Sequence, residues 1–213
     1  MPWKIALGMI FSLVPVALFA RSDAPQTSAT AQSSAIAEDE YAVYAAVIDS
    51  FQAAKKSSHP IVADRTATFQ CQAKCNGLEI GGCNGLRHEN ETPAQRLAIV
   101  QRDLPQLNPS AVTDFDRNNQ SCATLAKKIP AKTKYLMSLH EGDSLPDDWD
   151  SPDYFFFSRV GFNADHTQAL VVLGFLSGTQ ARDSMGKYFL LVKQTGRWHF
   201  QGSSLIWQLQ PQH

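Results

Sequence analysis

"QALVVLGFLS", residues 168–177, is apolar at odd and even positions alike. Successive side chains of a strand point to opposite faces, so a strand with one wet face would alternate. This one does not, and it therefore reads as a central strand covered on both sides. Three further strands surround it at about 155–162, 185–194 and 197–208. Short, polar, glycine-containing links join them, which favours antiparallel pairing in chain order, a C-terminal meander. In "KQTGRW" Gly196 suits the left-handed position of a tight hairpin. In "RWHFQGSSLIW" Trp198, Phe200 and Ile206 share one parity and are expected inside, with His199, Gln201 and Ser203 on the other face. Leu205 and Trp207 break that alternation.

Upstream the period changes. "EDEYAVYAAVIDSFQAAKK" (residues 38–56) opens on Glu38, Asp39 and Glu40 and closes on Lys55 and Lys56, charges placed to suit a helix dipole. Tyr44, Val47, Ile48 and Phe51 recur at helical spacing and are expected in the core. "TPAQRLAIVQRDL" and "NPSAVTDFDRNNQSCATL" each set a capping residue, Thr92 or Asn108, before a proline, a strong helix start. Val112, Phe115 and Cys122 are expected inward on the second of these. The β-branched run from Ile61 to Phe69, and Lys134 to His140, read as strands. The fold class is α+β: N-terminal helices packed on a curved antiparallel sheet.

The chain begins "MPWKIALGMIFSLVPVALFARSDA". Lys4, an uncharged apolar run from Ile5 to Ala20, and Arg21 make the three-part layout of a signal peptide, assigned to residues 1–24. Pro15 interrupts the run, which is shorter than the ~20 residues a membrane-spanning helix needs. Residues 25–37, rich in Ser, Ala, Thr and Gln, read as a flexible leader. Residues 38–210 then form one domain. The expected location is secreted or periplasmic. The whole chain has 19 basic and 20 acidic residues; without residues 1–24 it has 17 and 19, a net charge of −2. No basic excess points to nucleic acid or an anionic membrane. Membrane contact would run only through an uncleaved signal segment.

Cys71, Cys75 and Cys83 lie in "CQAKCNGLEIGGC", and Cys122 stands alone. An even count in an exported chain favours two disulfides. Cys122 then takes one of the three, and the spacing leaves open which. The rival is a zinc site using the three clustered thiols with His88 or His59, but only one C-x3-C half is present. Residues 70–91, with four glycines and little apolar content, form a loop that bridges must hold.

Between the first two meander strands, Ser158, Arg159, Asn163, Asp165 and His166 crowd one bend. Asn163 to His166 are turn-type residues. Gly161 suggests a bulge or a close neighbour. Ser158 and Arg159 would point to opposite faces of one strand, and no G-x-S-x-G turn is present, so a Ser-His-Asp site is unsupported. Arg159 and Arg65 could form an anion-binding fork; alternatively each is satisfied by a carboxylate such as Glu40 or Asp64. A pocket between helix and sheet would be lined by Arg65, Arg159, His140 and Tyr44. The acidic loop Asp143–Asp153 lacks calcium-loop spacing, and "HE" at 88–89 and 140–141 never extends to H-E-x-x-H. No metal or cofactor is expected. Asn90-Glu91-Thr92 and Asn119-Gln120-Ser121 match the N-glycosylation acceptor pattern.

"YAVYAAVIDSF", "IVADRTATF", "LNPSAVTDFDRNNQS" and, above all, "SRVGFNADHTQALVVLGFLSG…GKYFLLVKQTGRWHF" resemble a family of uncharacterised exported bacterial proteins over residues 38–208. The resemblance implies export and carries no known activity or site. "SGTQARDSMG" after Gly174 is longer and more polar than that pattern, and the cysteine-rich insert departs from it. The expected function is a non-enzymatic exported binding or envelope-associated domain, with an envelope or extracellular protein as partner. The alternatives are a small hydrolase or ligand-binding domain using the pocket above, and an inhibitor or immunity-like protein presenting the stapled 70–91 loop.

Overall fold

The computed structural model describes residues 36–55, 60–67, 92–121, 123–137, 153–177 and 185–208. Among these, three helices and seven strands follow in chain order. The helices are α1 (Glu38–Lys55), α2 (Pro93–Asp103) and α3 (Pro109–Asn118). The strands are β1 (Ile61–Val62), β2 (Leu136–Met137), β3 (Asp153–Phe157), β4 (Gly161–Phe162), β5 (Gln168–Ser177), β6 (Met185–Gln194) and β7 (Arg197–Gln208). The sheet order is β2-β1-β3-β5-β6-β7, with β4 also on β5. This is an α+β fold, and β3 to β7 pair antiparallel as a meander.

β5 sits in the middle and is buried on both faces, as its composition requires. Ala169, Val171, Leu173 and Phe175 join a core with Tyr44, Val47 and Ile48 of α1. Leu170 and Val172 join a second core with Val100 of α2, its C-cap residue Leu104, and Val112 and Phe115 of α3. One helix thus covers one face of the sheet and two cover the other. Phe51 of α1, half-buried, sets its ring 5.2 Å from that of Phe155 and 5.1 Å from that of Phe175.

Both proline-led helices start as the caps dictate. Thr92 Oγ1 accepts from Gln95 N at 3.3 Å, and Gln95 Oε1 accepts from Thr92 N at 2.8 Å, a complete capping box. Asn108 Oδ1 accepts from Ser110 N at 3.0 Å. In the β6–β7 hairpin, Thr195 (φ 48°) and Gly196 (φ 78°) are both left-handed. A two-residue turn of that kind matches the twist of the strands it joins.

Several expectations need correction. The sheet is not wholly antiparallel: β1 runs parallel to β2 and β3. The chain between β1 and β2 includes α2 and α3, and a long connection permits parallel pairing where a hairpin does not. The run 61–69 is a strand only at Ile61–Val62. Beyond it the backbone changes partners, with single bridges Arg65↔Thr124 and Ala67↔Ser158; residues 68 and 69 lie outside the described residues. Of 134–140, Leu136–Met137 is strand and 138–140 lie outside the description. The run 155–162 is two strands, broken at Ser158–Val160. Ser158 and Arg159 are therefore not on opposite faces of one strand; both are buried.

The β7 alternation also fails, for a local reason. Leu190 and Leu191 pair with Gly202 and Phe200, leaving Gln201 extra, and Gly186 and Lys187 pair with Trp207 and Leu205, leaving Ile206 extra. Each bulge shifts the parity by one. Ile206 consequently packs on the α2–α3 core while Trp198 belongs to the α1 core. Phe200 keeps Trp198's face but is 46% exposed.

At Gly161 α3 lies close against the sheet. A Cβ there would lie 2.3 Å from Ala111 O and 2.4 Å from Phe115 Cβ. These are backbone and near-backbone atoms of a packed helix, so relief requires moving the helix. Gly161→Ala is expected to cost ~1–3 kcal/mol as an overpacking substitution, read from the denaturant midpoint. An unchanged midpoint would mean that α3 does not seat on β4 at this distance.

Candidate functional site

The break between β3 and β4 is where the polar chemistry of the described residues collects. A three-residue gap in a buried strand leaves backbone N–H and C=O groups that need partners. Here side chains from both helical layers supply them. Asn119, the C-cap of α3, takes Arg159 from both sides: Oδ1 accepts from Arg159 N at 2.8 Å and Nδ2 donates to Arg159 O at 3.0 Å. Asn119 Nδ2 also donates to Phe115 O at 2.8 Å. Asn118 Nδ2 donates to Val160 O at 2.8 Å, and Asp114 Oδ2 accepts from Phe162 N at 2.9 Å. From the other layer, Glu40 Oε2 accepts from Val160 N at 3.2 Å.

Arg159 reaches α1 through this gap. Its Nε donates to Glu40 Oε2 at 2.9 Å and its Nη2 to Glu40 Oε1 at 2.7 Å, a two-point fork on one carboxylate. Arg159 is 5% exposed and Glu40 3%. The bond to Glu40 raises the guanidinium pKa further, keeping it charged. Tyr44, one turn along α1, shares its single proton between Glu40 Oε2 at 3.3 Å and Ser158 O at 3.1 Å. The Ser158 hydroxyl donates to Arg159 O at 2.9 Å and accepts from Val172 N at 2.8 Å. That hydroxyl is a ladder element, tying the break to β5.

Burial first, and then the Glu40 charge, push the Tyr44 hydroxyl well above the usual phenol range. The folded state thus holds this proton more tightly than the unfolded chain. Its contribution is complete below the ordinary phenol pKa of about 10 and is lost as pH climbs from there toward the folded value. Tyr44→Phe is expected to cost ~1 kcal/mol at neutral pH. Between about pH 9 and 11 the variant should lose stability less steeply than the parent. Parallel slopes in urea midpoints would show that Tyr44 is not the group titrating.

Of the four expected pocket residues, the structure joins Tyr44 and Arg159 through Glu40. Arg65 is exposed at its bridge with Thr124, so the two arginines form no fork together. His140 lies outside the described residues, as do Cys71, Cys75, Cys83 and Cys122. The carboxylate facing Arg159 is Glu40. Asp114, Asn118 and Asn119 also belong to the site and are not among the residues to which the sequence points. The Asn118-Asn119 pair at a helix end was the available signal, since asparagine is at home at helix termini.

Two smaller polar groups lie apart. Arg96 Nε of α2 meets Asp116 Oδ1 of α3 at 2.7 Å, largely buried. Burial raises the Asp116 pKa while Arg96 opposes the rise. At the hairpin end of the sheet, Lys193 Nζ pairs with Asp39 at 2.9 Å and lies 5.1 Å from the Trp198 ring centroid, while His166 stacks on Phe162 at 4.8 Å. Among the described residues no group of three His, Cys, Asp or Glu side chains is placed to hold a metal ion, and no helix is long and apolar enough to cross a membrane.

No protein-family model, no curated protein and no solved structure matches this chain. The site must be read from its own geometry.

Proposed function

We propose that this protein is an exported, non-catalytic binding domain. The observation that carries this reading is the Glu40–Arg159 pair. The arginine best suited to grip an anionic ligand is buried and has a carboxylate of its own chain across two of its donors. Tyr44 and Ser158 are engaged in the same way, each bonding backbone or side chain of the domain. A charge cluster built like this fastens α1 and α3 to the broken strand. Recognition then falls to other parts of the chain, with an envelope or extracellular protein as the partner. Export rests on residues 1–24, whose charge and hydropathy pattern is that of a cleaved signal. The resemblance of residues 38–208 to exported bacterial proteins points the same way.

The test has two arms. N-terminal sequencing of the chain from an exporting bacterial host is expected to find a new terminus between residues 20 and 25. A photo-crosslinker placed at an exposed site in that host should trap one defined envelope or extracellular protein. Turnover of an ester, amide or glycoside panel that Arg159→Lys or Tyr44→Phe abolishes, without loss of folding, would overturn the non-catalytic reading.

A further inference from the structure

Asn119-Gln120-Ser121 carries the N-glycosylation acceptor pattern, which ordinarily marks an exposed loop. This asparagine is nothing of the kind. It is 0% exposed, at the junction of α3 with the β3–β4 break. All of its side-chain polar capacity on the donor side is in use: the two Nδ2 hydrogens serve Phe115 O and Arg159 O. Its Oδ1 accepts from Arg159 N. Ser121, which completes the pattern, is exposed.

We propose that Asn119 is a fold-gated acceptor: a glycan at this position and the native fold exclude one another. The modification requires a lipid-pyrophosphate-linked oligosaccharide as donor. A bond forms between Asn119 Nδ2 and the anomeric carbon of the sugar. The bond from that carbon to the pyrophosphate oxygen breaks, the oxygen leaving with the electron pair, and one Nδ2 proton is released. The product amide retains one N–H for two carbonyls, and a sugar must occupy space now filled by α3 and the strand break. A buried carbonyl left without its donor is costly, and the steric demand is larger still. Transfer can therefore occur only on a chain that has not yet folded. This deepens the export reading and rests on it: an exported chain meets such a transferase only in a compartment that has one. The fold therefore suits an export route without an Asn-x-Ser/Thr transferase.

The experiment places the full chain behind a host signal in a eukaryotic secretory pathway and maps site occupancy by mass spectrometry. Secreted, protease-resistant chains and retained chains are analysed separately. Three forms are compared: the parent; Ser121→Ala, which removes the acceptor pattern but keeps Asn119; and Trp198→Ala, which removes a core residue. The secreted pool of the parent is expected to be bare at Asn119, with sugar confined to retained chains. Ser121→Ala should raise the secreted yield several-fold, and retained Trp198→Ala should be occupied at Asn119. Two results overturn the proposal: a secreted, protease-resistant chain bearing sugar at Asn119, or an unfolded, retained Trp198→Ala chain that is bare there. Failure of the export reading is a separate outcome, because the host signal drives secretion here while the new N-terminus is sought in the bacterial host.

Discussion

Arg159→Met is expected to cost ~3–5 kcal/mol of folding stability, because it leaves the Glu40 carboxylate buried without its counter-charge. Domains of this kind have only ~5–15 kcal/mol in all, so the loss is a large share of the total. The expected sign in Arg159→Met is a lower urea midpoint at an unchanged slope. The double variant Glu40→Leu with Arg159→Met should regain much of the loss, since no lone charge then remains in the core. The coupling between the two positions is the decisive quantity. Near-additive costs would mean that water reaches the pair and that Arg159 is not locked to α1. The same result would reopen the pocket reading, because a solvated Arg159 could meet a ligand. Glu40 Oε2 also accepts from Val160 N, so Glu40→Leu alone loses a backbone bond as well as the ion pair.

Trp198→Ala is the second large effect, expected at ~3–5 kcal/mol for truncating a buried aromatic. Trp198 is 7% exposed in the α1-side core, with its ring 5.6 Å from that of Phe162 and beneath Lys193. Its indole N–H is buried with no hydrogen-bond partner among the described residues. Trp198→Phe should therefore be much milder, since it keeps an aromatic and removes an orphaned donor. Phe200, two residues along on the same face, is half exposed, and Phe200→Ala is expected to cost ~1 kcal/mol or less by lost area. Equal melting shifts at 198 and 200 would show that the α1 side of β7 is covered along its whole length, contrary to the structure.

The parts of the fold legible in the sequence are those governed by local rules. The apolar 169–176 stretch marks a central strand, and both cores flank it. Thr92-Pro93 and Asn108-Pro109 marked two helix starts to the residue, because capping is decided within one turn. Gly161 points to a bulge or a close neighbour, and α3 is a close neighbour. The legible part of the candidate site was smaller. Arg159 and Tyr44 are among the four expected pocket residues and Glu40 is one of two carboxylates offered to the arginines, but Arg65 is exposed elsewhere and His140 lies outside the described residues. In the sequence Asn119 stands out only as an acceptor pattern, whereas its amide is the partner of a broken strand.

What sequence alone determined, then, was the order and kind of the elements and the two-faced burial of β5. Period, capping and turn chemistry act over a few residues, and a single chain displays them directly. Tertiary structure decided the rest: the parallel corner at β1, the parity shifts in β7, and the side chains of α1 and α3 that complete the gap at 158–160. The β1 corner and the gap depend on partners 40 to 120 residues away in the chain, and the β7 shifts on how that strand pairs with β6. A carboxylate or an amide satisfies a backbone group by where it lies in space, and no local pattern around Glu40 or Asn119 encodes the strand it will meet.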